Sequence, residues 1–264
     1  MSADQGDLLI ERRDDGIVVA TLNRPKARNT VSFDMWEAFG ELLSELESDT
    51  PARALILQGA ENYFSSGGDV KIPPARGEGA LRLGKRLEIG QRALSRLQAL
   101  PMPTIAAVET GAWGVAWGMT LCCDLVFAGE STQFGAPFVN LGIVPDGGIA
   151  WHLTQRLGRG RASDILLSCR VLGTGEAKEL GLLTHVVPDG QALDAALAYA
   201  ANLGEGNRQA VEITKRLIHE AEASSLDAAL ALELAYCHIT QGGEELARAR
   251  AAFLARSEAR KAKG

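Results

Sequence analysis

The apolar positions of the first hundred residues change period several times. Residues 8–10 read Leu-Leu-Ile and residues 17–22 read Ile-Val-Val-Ala-Thr-Leu, on either side of Asp14-Asp15-Gly16. This predicts two strands joined by a tight hairpin. From Ser32, a candidate N-cap, Met35, Trp36, Phe39, Leu42, Leu43 and Leu46 recur at helical spacing as far as Pro51. A short apolar strand is expected at 54–57 and a Gly/Ser-rich loop at 65–68. Helical spacing then returns over 81–100 and stops at Pro101 and Pro103.

The middle of the chain predicts a strand at 104–108, a short helix at 115–122 and a strand at 124–128. A strand-helix-strand rhythm implies parallel pairing with helices packed outside, hence an α/β fold. Further helices are expected at 148–157, 161–167 and 175–180, a last strand at Val186-Val187 before Pro188, and a helix at 193–203. Gly204-Glu205-Gly206-Asn207 reads as a linker, beyond which no strand pattern recurs. The expected organisation is therefore a core over 1–204 and a helical region over 205–264. So short a helical region cannot bury its own apolar faces, and it must dock on the core or on another subunit.

Composition narrows the class. The 264 residues carry 27 Lys and Arg against 33 Asp and Glu, a formal net charge of -6. This argues against a partner held by bulk electrostatics, whether nucleic acid or an anionic membrane surface. The longest apolar run, residues 112–123, has about 12 residues, short of the ~18 needed to span a bilayer. Four cysteines, two of them adjacent, show no CxxC spacing, so neither a disulfide framework nor a zinc site is expected. The four histidines form no HExxH, and metal binding is not expected. GxGxxG, a P-loop and a GxSxG elbow are all missing. No targeting signal is read at either end, and a cytoplasmic location is expected.

Three segments could carry chemistry. Tyr63-Phe64-Ser65-Ser66-Gly67-Gly68-Asp69-Val70 follows a strand, and its small residues would let main-chain N–H groups approach a ligand oxygen, though a plain glycine turn reads the same way. Residues 109–118 again leave a strand and open an apolar helix, whose free N–H groups could meet an oxyanion; close packing at Gly114 and Gly118 is the alternative. In Leu141-Gly142-Ile143-Val144-Pro145-Asp146-Gly147-Gly148, Asp146 could cap the next helix. It could instead be a general base whose pKa is raised by neighbours such as Phe138, Val144 and Trp151.

Together these segments resemble the enoyl-CoA hydratase/isomerase (crotonase) superfamily. The resemblance runs through Leu22-Asn23-Arg24-Pro25-Lys26-Ala27-Arg28-Asn29, Phe64 to Asp69, Cys123-Asp124-Leu125, Phe134-Gly135-Ala136-Pro137, Leu141 to Pro145, and 173–183. It implies a spiral of repeated ββα units, a C-terminal helical trimerisation region in a homotrimer or dimer of trimers, and acyl-CoA thioesters as substrates, with coenzyme A as part of the substrate and no separate cofactor. The thioester oxygen would be held by two backbone amides, which map to Gly68 and Val115, with Gly114 and Ala116 as alternatives to the latter because Thr110 stands where the family carries Gly. CoA would be met by Lys26, Ala27, Arg28, Ser66, Asp69, Val70 and Lys71, and the acyl group by Trp113, Phe138 and Trp151.

Departures from the pattern bear on the reaction. The two glutamates of the family's hydratases are replaced here by Gly118 and Phe138, neither of which moves protons. Asp146 falls where Δ3,Δ2-enoyl-CoA isomerases and other members place a carboxylate. The resemblance thus implies an enoyl-CoA isomerase or a related deprotonating enzyme with Asp146 as base. An atypical hydratase, an acyl-CoA or β-diketone C–C hydrolase, and a non-catalytic acyl-CoA-binding trimer are the alternatives.

Overall fold

The computed structural model describes residues 6–48, 51–69, 71, 85–203, 207–241 and 244–261. By its contacts the chain divides into two compact units, Met1–Ala200 and Ala201–Gly264.

In the first unit, β1 (Leu8–Arg12) and β2 (Ile17–Leu22) form the expected hairpin, with Leu8 opposite Leu22. Its turn is closed by the Arg13 N–H donating to the Ile17 carbonyl at 3.0 Å. Strands β3 (Ala54–Gly59), β4 (Thr104–Val108), β6 (Leu125–Gly129) and β9 (His185–Val187) extend it in parallel, in the order β1-β2-β3-β4-β6-β9. The inner strands are buried on both faces, which explains why they read as unbroken apolar runs rather than alternating ones.

A second, smaller sheet contains β5 (Gly111–Trp113), β7 (Gln133–Gly135) and β8 (Leu172–Gly173). Its strands are two or three residues long, too short to leave a periodic signal, and no strand is expected there from sequence. From β2 to β6, each large-sheet strand is thus followed by a smaller extended piece and then a helix. β4 and β5 lead to α3 (Val115–Leu121), and β6 and β7 lead to α4 (Ile149–Ser168). Single parallel bridges at Val31–Gly68 and Ser65–Ala112 continue the small layer towards the N-terminus, where α1 (Phe33–Glu47) and α2 (Lys85–Ala99) follow β2 and β3. This is the ββα spiral that the resemblance implies.

Helix α1 shows why its sequence folds this way. The Ser32 side chain accepts from the Met35 N–H at 3.0 Å and starts the helix. Phe33, Met35, Trp36, Phe39, Leu42, Leu43 and Leu46 are then all buried, each contributing roughly 1.5–3 kcal/mol relative to exposure. For α2, residues 81–84 of the expected helix lie outside the described residues. The two helices expected at 148–157 and 161–167 are one run, α4, interrupted at Gly158, whose φ of 76° and ψ of 162° are not helical. Helices α5 (Thr174–Glu179) and α6 (Ala192–Ala201) complete the core region.

The second unit holds α7 (Arg208–Ala221), α8 (Leu226–Thr240) and α9 (Glu244–Lys261). Asn207 and Ser225 cap α7 and α8 through their side chains. Residues 204–206 of the expected linker lie outside the described residues. Leu226, Leu230 and Leu234, four residues apart on α8, are exposed, as are Phe253 and Leu254 on α9. No described helix is long and apolar enough to cross a membrane.

Asp124 is a structural clamp between two central strands. Its carboxylate accepts from the Thr104 N–H at 2.7 Å and the Thr104 hydroxyl at 2.9 Å, while its own N–H donates to that hydroxyl at 3.1 Å. Thr104 is fully buried, so the substitution Asp124→Ala leaves donors unpaired and should cost about 1–3 kcal/mol, read as a lowered urea midpoint with an unchanged slope.

Candidate functional site

Two loops leave the carboxyl ends of neighbouring strands β3 and β4 and are laced together by main-chain hydrogen bonds. The Phe64 N–H donates to the Glu109 carbonyl at 3.0 Å, the Ser65 N–H to Gly111 at 3.1 Å, and the Trp113 N–H to Ser65 at 3.1 Å. The Ser65 hydroxyl is equally engaged, donating to the Asn29 carbonyl at 2.7 Å and accepting from the Gly67 N–H at 3.1 Å. Gly67 has φ of +93°, and a Cβ there would stand 2.6 Å from the Trp113 carbonyl oxygen. Only glycine allows this approach.

The lacing brings Gly68 beside the first residue of α3. A Cβ built on Gly68 would lie 4.0 Å from Val115 Cγ1. Val115 is the N1 residue of its helix, where the amide has no partner within the helix. Among the described residues neither the Gly68 nor the Val115 amide donates to another protein group.

Asp146 joins them through a close fit of glycines. A Cβ on Gly118 of α3 would stand 2.3 Å from the Gly147 carbonyl oxygen, and one on Gly147 would stand 3.1 Å from Val115 Cγ2. The 146–148 turn is therefore seated directly on α3. Gly68, Val115, Asp146 and Gly147 line one cleft with Trp36, Leu87 and Leu94, and its empty volume is about 350 Å³ including the part open to solvent. Asp146 does not cap α4 with its side chain: Gly148 is the N-cap, and only the Asp146 carbonyl accepts, from Ile149 at 3.3 Å. Its Oδ1 is buried without a hydrogen-bond partner among the described residues. Burial pushes the carboxyl up from 3.8 to about 6, and the nearby Arg86 guanidinium opposes the rise.

The fold and this site can be compared with known proteins. The family model described as enoyl-CoA hydratase/isomerase matches residues 12–262. The chain belongs to the enoyl-CoA hydratase/isomerase family. It is 36% identical over 217 residues to enoyl-CoA hydratase EchA19 of Mycobacterium tuberculosis, covering 82% of this chain and 81% of that protein. It is 32% identical over 252 residues to 1,2-epoxyphenylacetyl-CoA isomerase of Escherichia coli, covering 95% of this chain and 96% of that one. Among solved structures, an enoyl-CoA hydratase from Bacillus anthracis superposes with a TM-score of 0.90 at 25% identity, over 95% of this chain and 97% of that chain.

Within this enoyl-CoA hydratase/isomerase framework the remaining expected residues are placed as follows. Pro25–Ala27 form a short 3-10 turn with Ala27 half-buried and Lys26 and Arg28 exposed. Buried Asn29 pins that turn by donating to the carbonyls of Ala60 at 2.9 Å and Tyr63 at 2.6 Å. Ser66 and Asp69 are engaged within the protein. The Ser66 N–H donates to Arg28 at 2.9 Å. The Asp69 carboxylate meets Arg24 at 3.3 Å and accepts from the Lys71 N–H at 3.0 Å. Lys71 is exposed, and Val70 lies outside the described residues.

None of the three expected acyl-pocket residues is among those lining this cleft. Phe138 is buried, with Cζ 3.5 Å from where a Cβ on Gly114 would stand. Trp113 lies over the small sheet, where a Cβ on Gly135 would be 2.4 Å from its Cζ3. Trp151 is 46% exposed and stands edge-on to His152. Among the described residues, Trp36 of α1 is the aromatic that lines the cleft.

Sequence reasoning missed Arg86, which lines the cleft from the first turn of α2; beside Lys85 in a helix's first turn it reads as surface charge. It also missed a buried Cys122–His152 contact, Sγ to Nε2 at 3.3 Å. Burial pushes the Cys122 thiol up to about 12 and His152 down to about 4. Both are therefore neutral, and the pair is no thiolate nucleophile. No group of three or more His, Cys, Asp or Glu among the described residues could hold a metal ion.

The buried carboxyl makes a stability prediction. A carboxyl whose folded pKa is raised binds its proton more tightly in the native state, so its stabilisation is full below about pH 4 and is lost as pH rises through about 6. Ionised Asp146 thus destabilises the protein at neutral pH. The variant Asp146→Asn should be more stable than wild type by about 1–3 kcal/mol at pH 8, with the difference shrinking towards pH 4, as thermal unfolding across that range will show.

Proposed function

We propose that this enoyl-CoA hydratase/isomerase family enzyme isomerises an enoyl-CoA through a thioester enolate, with Asp146 as the single acid-base group. The observation that carries the reading is the buried, unpaired Asp146 Oδ1 in one cleft with the amides of Gly68 and Val115.

The two amides receive the thioester oxygen and lower the pKa of the C2–H bond by stabilising the enolate. Asp146 takes the C2 proton of a 3-enoyl-CoA, the electron pair delocalises over the thioester oxygen, C2 and C4, and Asp146 returns the proton to C4. The double bond moves to C2–C3, and atoms balance without water. A carboxyl titrating near 6 suits both halves, being mostly ionised at neutral pH and still basic enough to hold the proton between the steps. CoA is met by the exposed Lys26 and Arg28 near its phosphates. The exposed Leu226, Leu230 and Leu234 stripe supports assembly of the helical unit as a homotrimer or dimer of trimers.

The relatives carry both hydratase and isomerase names. The isomerase reading is favoured by Gly118, whose missing side chain is not merely absent: the Gly147 carbonyl occupies the room that a side chain would need. Introducing a carboxylate by Gly118→Glu should therefore push the 146–148 turn out of place, abolishing isomerisation without creating hydration of crotonyl-CoA.

The decisive assay sets 3-hexenoyl-CoA, crotonyl-CoA and a β-diketone thioester before wild type and Asp146→Asn. Isomerisation of the 3-enoyl thioester should dominate, with an acid limb near pH 6, and Asp146→Asn should lower kcat about 10²–10⁴-fold. Full turnover by Asp146→Asn would refute the base assignment. Dominant hydration or C–C cleavage would replace the isomerase reading by that reaction.

A further inference from the structure

Helix α3 meets the chain that follows Asp146 along one of its faces. Val115 and Gly118 of the helix and Cys122 at its C-cap are spaced i, i+3 and i+7, so they share that face. The first two meet Gly147 by shape. The third meets α4 through a hydrogen bond, Cys122 Sγ lying 3.3 Å from His152 Nε2. Both residues are buried, His152 with 3% exposure. The imidazole edge that meets Cys122 also faces the turn: a Cβ on Gly148 would stand 3.5 Å from Cδ2 and 3.7 Å from Nε2. Gly148, at φ +73°, comes two residues after Asp146, and its carbonyl accepts from the His152 N–H at 3.0 Å. Arg156, one turn further along α4, donates to the Leu121 carbonyl at 2.7 Å and holds the same two helices together.

Packing alone does not call for an imidazole here. His152 Nδ1 is buried with no partner among the described residues, and an unpaired buried polar atom is destabilising where an apolar ring of similar size would not be. We infer that His152 is a positioning residue for the base: anchored on Cys122, it backs Gly148 and fixes the turn that holds Asp146 in the cleft shared with the Gly68 and Val115 amides. The inference rests on the Asp146 assignment proposed above and adds the element behind it. Contact at Gly147 limits how near the turn comes to α3 but not how it slides along the helix, whereas the bond at Cys122 is directional. A base must meet the C2 proton closely, and a misplacement of about 1 Å can cost about 10²-fold in rate. The ring itself is not among the residues lining the cleft, so it acts through the turn and not on the substrate.

The test compares wild type, Cys122→Ala, Cys122→Ser, His152→Phe, Asp146→Asn and the double variant Cys122→Ala with Asp146→Asn. Three properties are measured: isomerisation of 3-hexenoyl-CoA, exchange of the C2 hydrogens of butyryl-CoA with deuterium oxide by NMR, and thermal unfolding. Cys122→Ala and His152→Phe should each lower kcat and the exchange rate about 10–100-fold and leave KM nearly unchanged. Cys122→Ser keeps a hydrogen-bonding group and should recover much of the rate. Once Asp146 is replaced, adding Cys122→Ala should cost no further exchange, because its effect passes through the carboxylate.

A lowered unfolding temperature with wild-type kcat in Cys122→Ala and His152→Phe would overturn the inference and leave the pair as core packing. So would a Cys122→Ser variant as slow as Cys122→Ala, or a second loss of the same size when Cys122→Ala is added to Asp146→Asn. If His152→Phe does not fold, the Cys122 variants decide alone. Asp146→Asn separates the two readings: if it is slow while Cys122→Ala turns over at the wild-type rate, the base assignment stands and only the role of His152 falls. If Asp146→Asn keeps its turnover, or wild type catalyses neither reaction, both readings fail.

Discussion

The hydrogen bonds between the Ser65 backbone and Gly111 and Trp113 are the constraint from which the site follows. Parallel strands deliver their chain to the same edge of a sheet but do not by themselves align the loops that leave it. Here a two-bond bridge does so, and it carries the small second layer of the spiral across from β5 to the loop after β3. With that register set, Gly68 and Val115 have nowhere to be but side by side. Because the amides belong to the backbone, the valine side chain at the second position leaves the donor intact. The Gly67 conformation and the Ser65 hydroxyl bonds to Asn29 and Gly67 make this a rigid arrangement rather than a pair of adjacent flexible loops.

The third element is brought in by shape and not by hydrogen bonding. Gly147 lies on the α3 glycine at position 118 so closely that a Cβ on Gly118 would be excluded, and the turn carrying Asp146 is thereby held against the helix whose N-terminus offers the Val115 amide. This same contact closes the position that the resemblance assigns to a hydratase glutamate. One feature of packing thus supplies the carboxylate and removes its competitor. The energetic consequence is an Asp146 oxygen buried without a partner, a costly arrangement in the free protein that raises its pKa into the range where a general base works.

Much of the fold was legible in the pattern of residues. Helix α1 announced itself through Ser32 and six apolar positions, and the inner strands through short apolar runs. The small sheet was not legible, since three-residue strands exist only because of the partners they meet. For the site, the positions of Gly68, Val115 and Asp146 could be read from the resemblance, but the direction of the Asp146 side chain could not: the segment Pro145-Asp146-Gly147-Gly148 is equally suited to a helix cap and to a cleft. Trp113 shows the converse. An indole at a strand end suggests a pocket wall, yet it covers two glycines, Gly111 and Gly135, whose lack of side chains makes room for it. Arg86 was invisible for a simpler reason, since its meaning depends on α2 lying across the cleft from α3.

The proposed mechanism requires that two amides and one carboxylate act on the same thioester. A crystal structure of Asp146→Asn with 3-hexenoyl-CoA bound would test that most directly. The thioester oxygen should lie at hydrogen-bond distance, about 2.7–3.1 Å, from both the Gly68 and Val115 nitrogens, with C2 facing the side chain at position 146. A thioester oxygen bound away from these amides, or an acyl chain that turns C2 from position 146 towards ordered water, would contradict it.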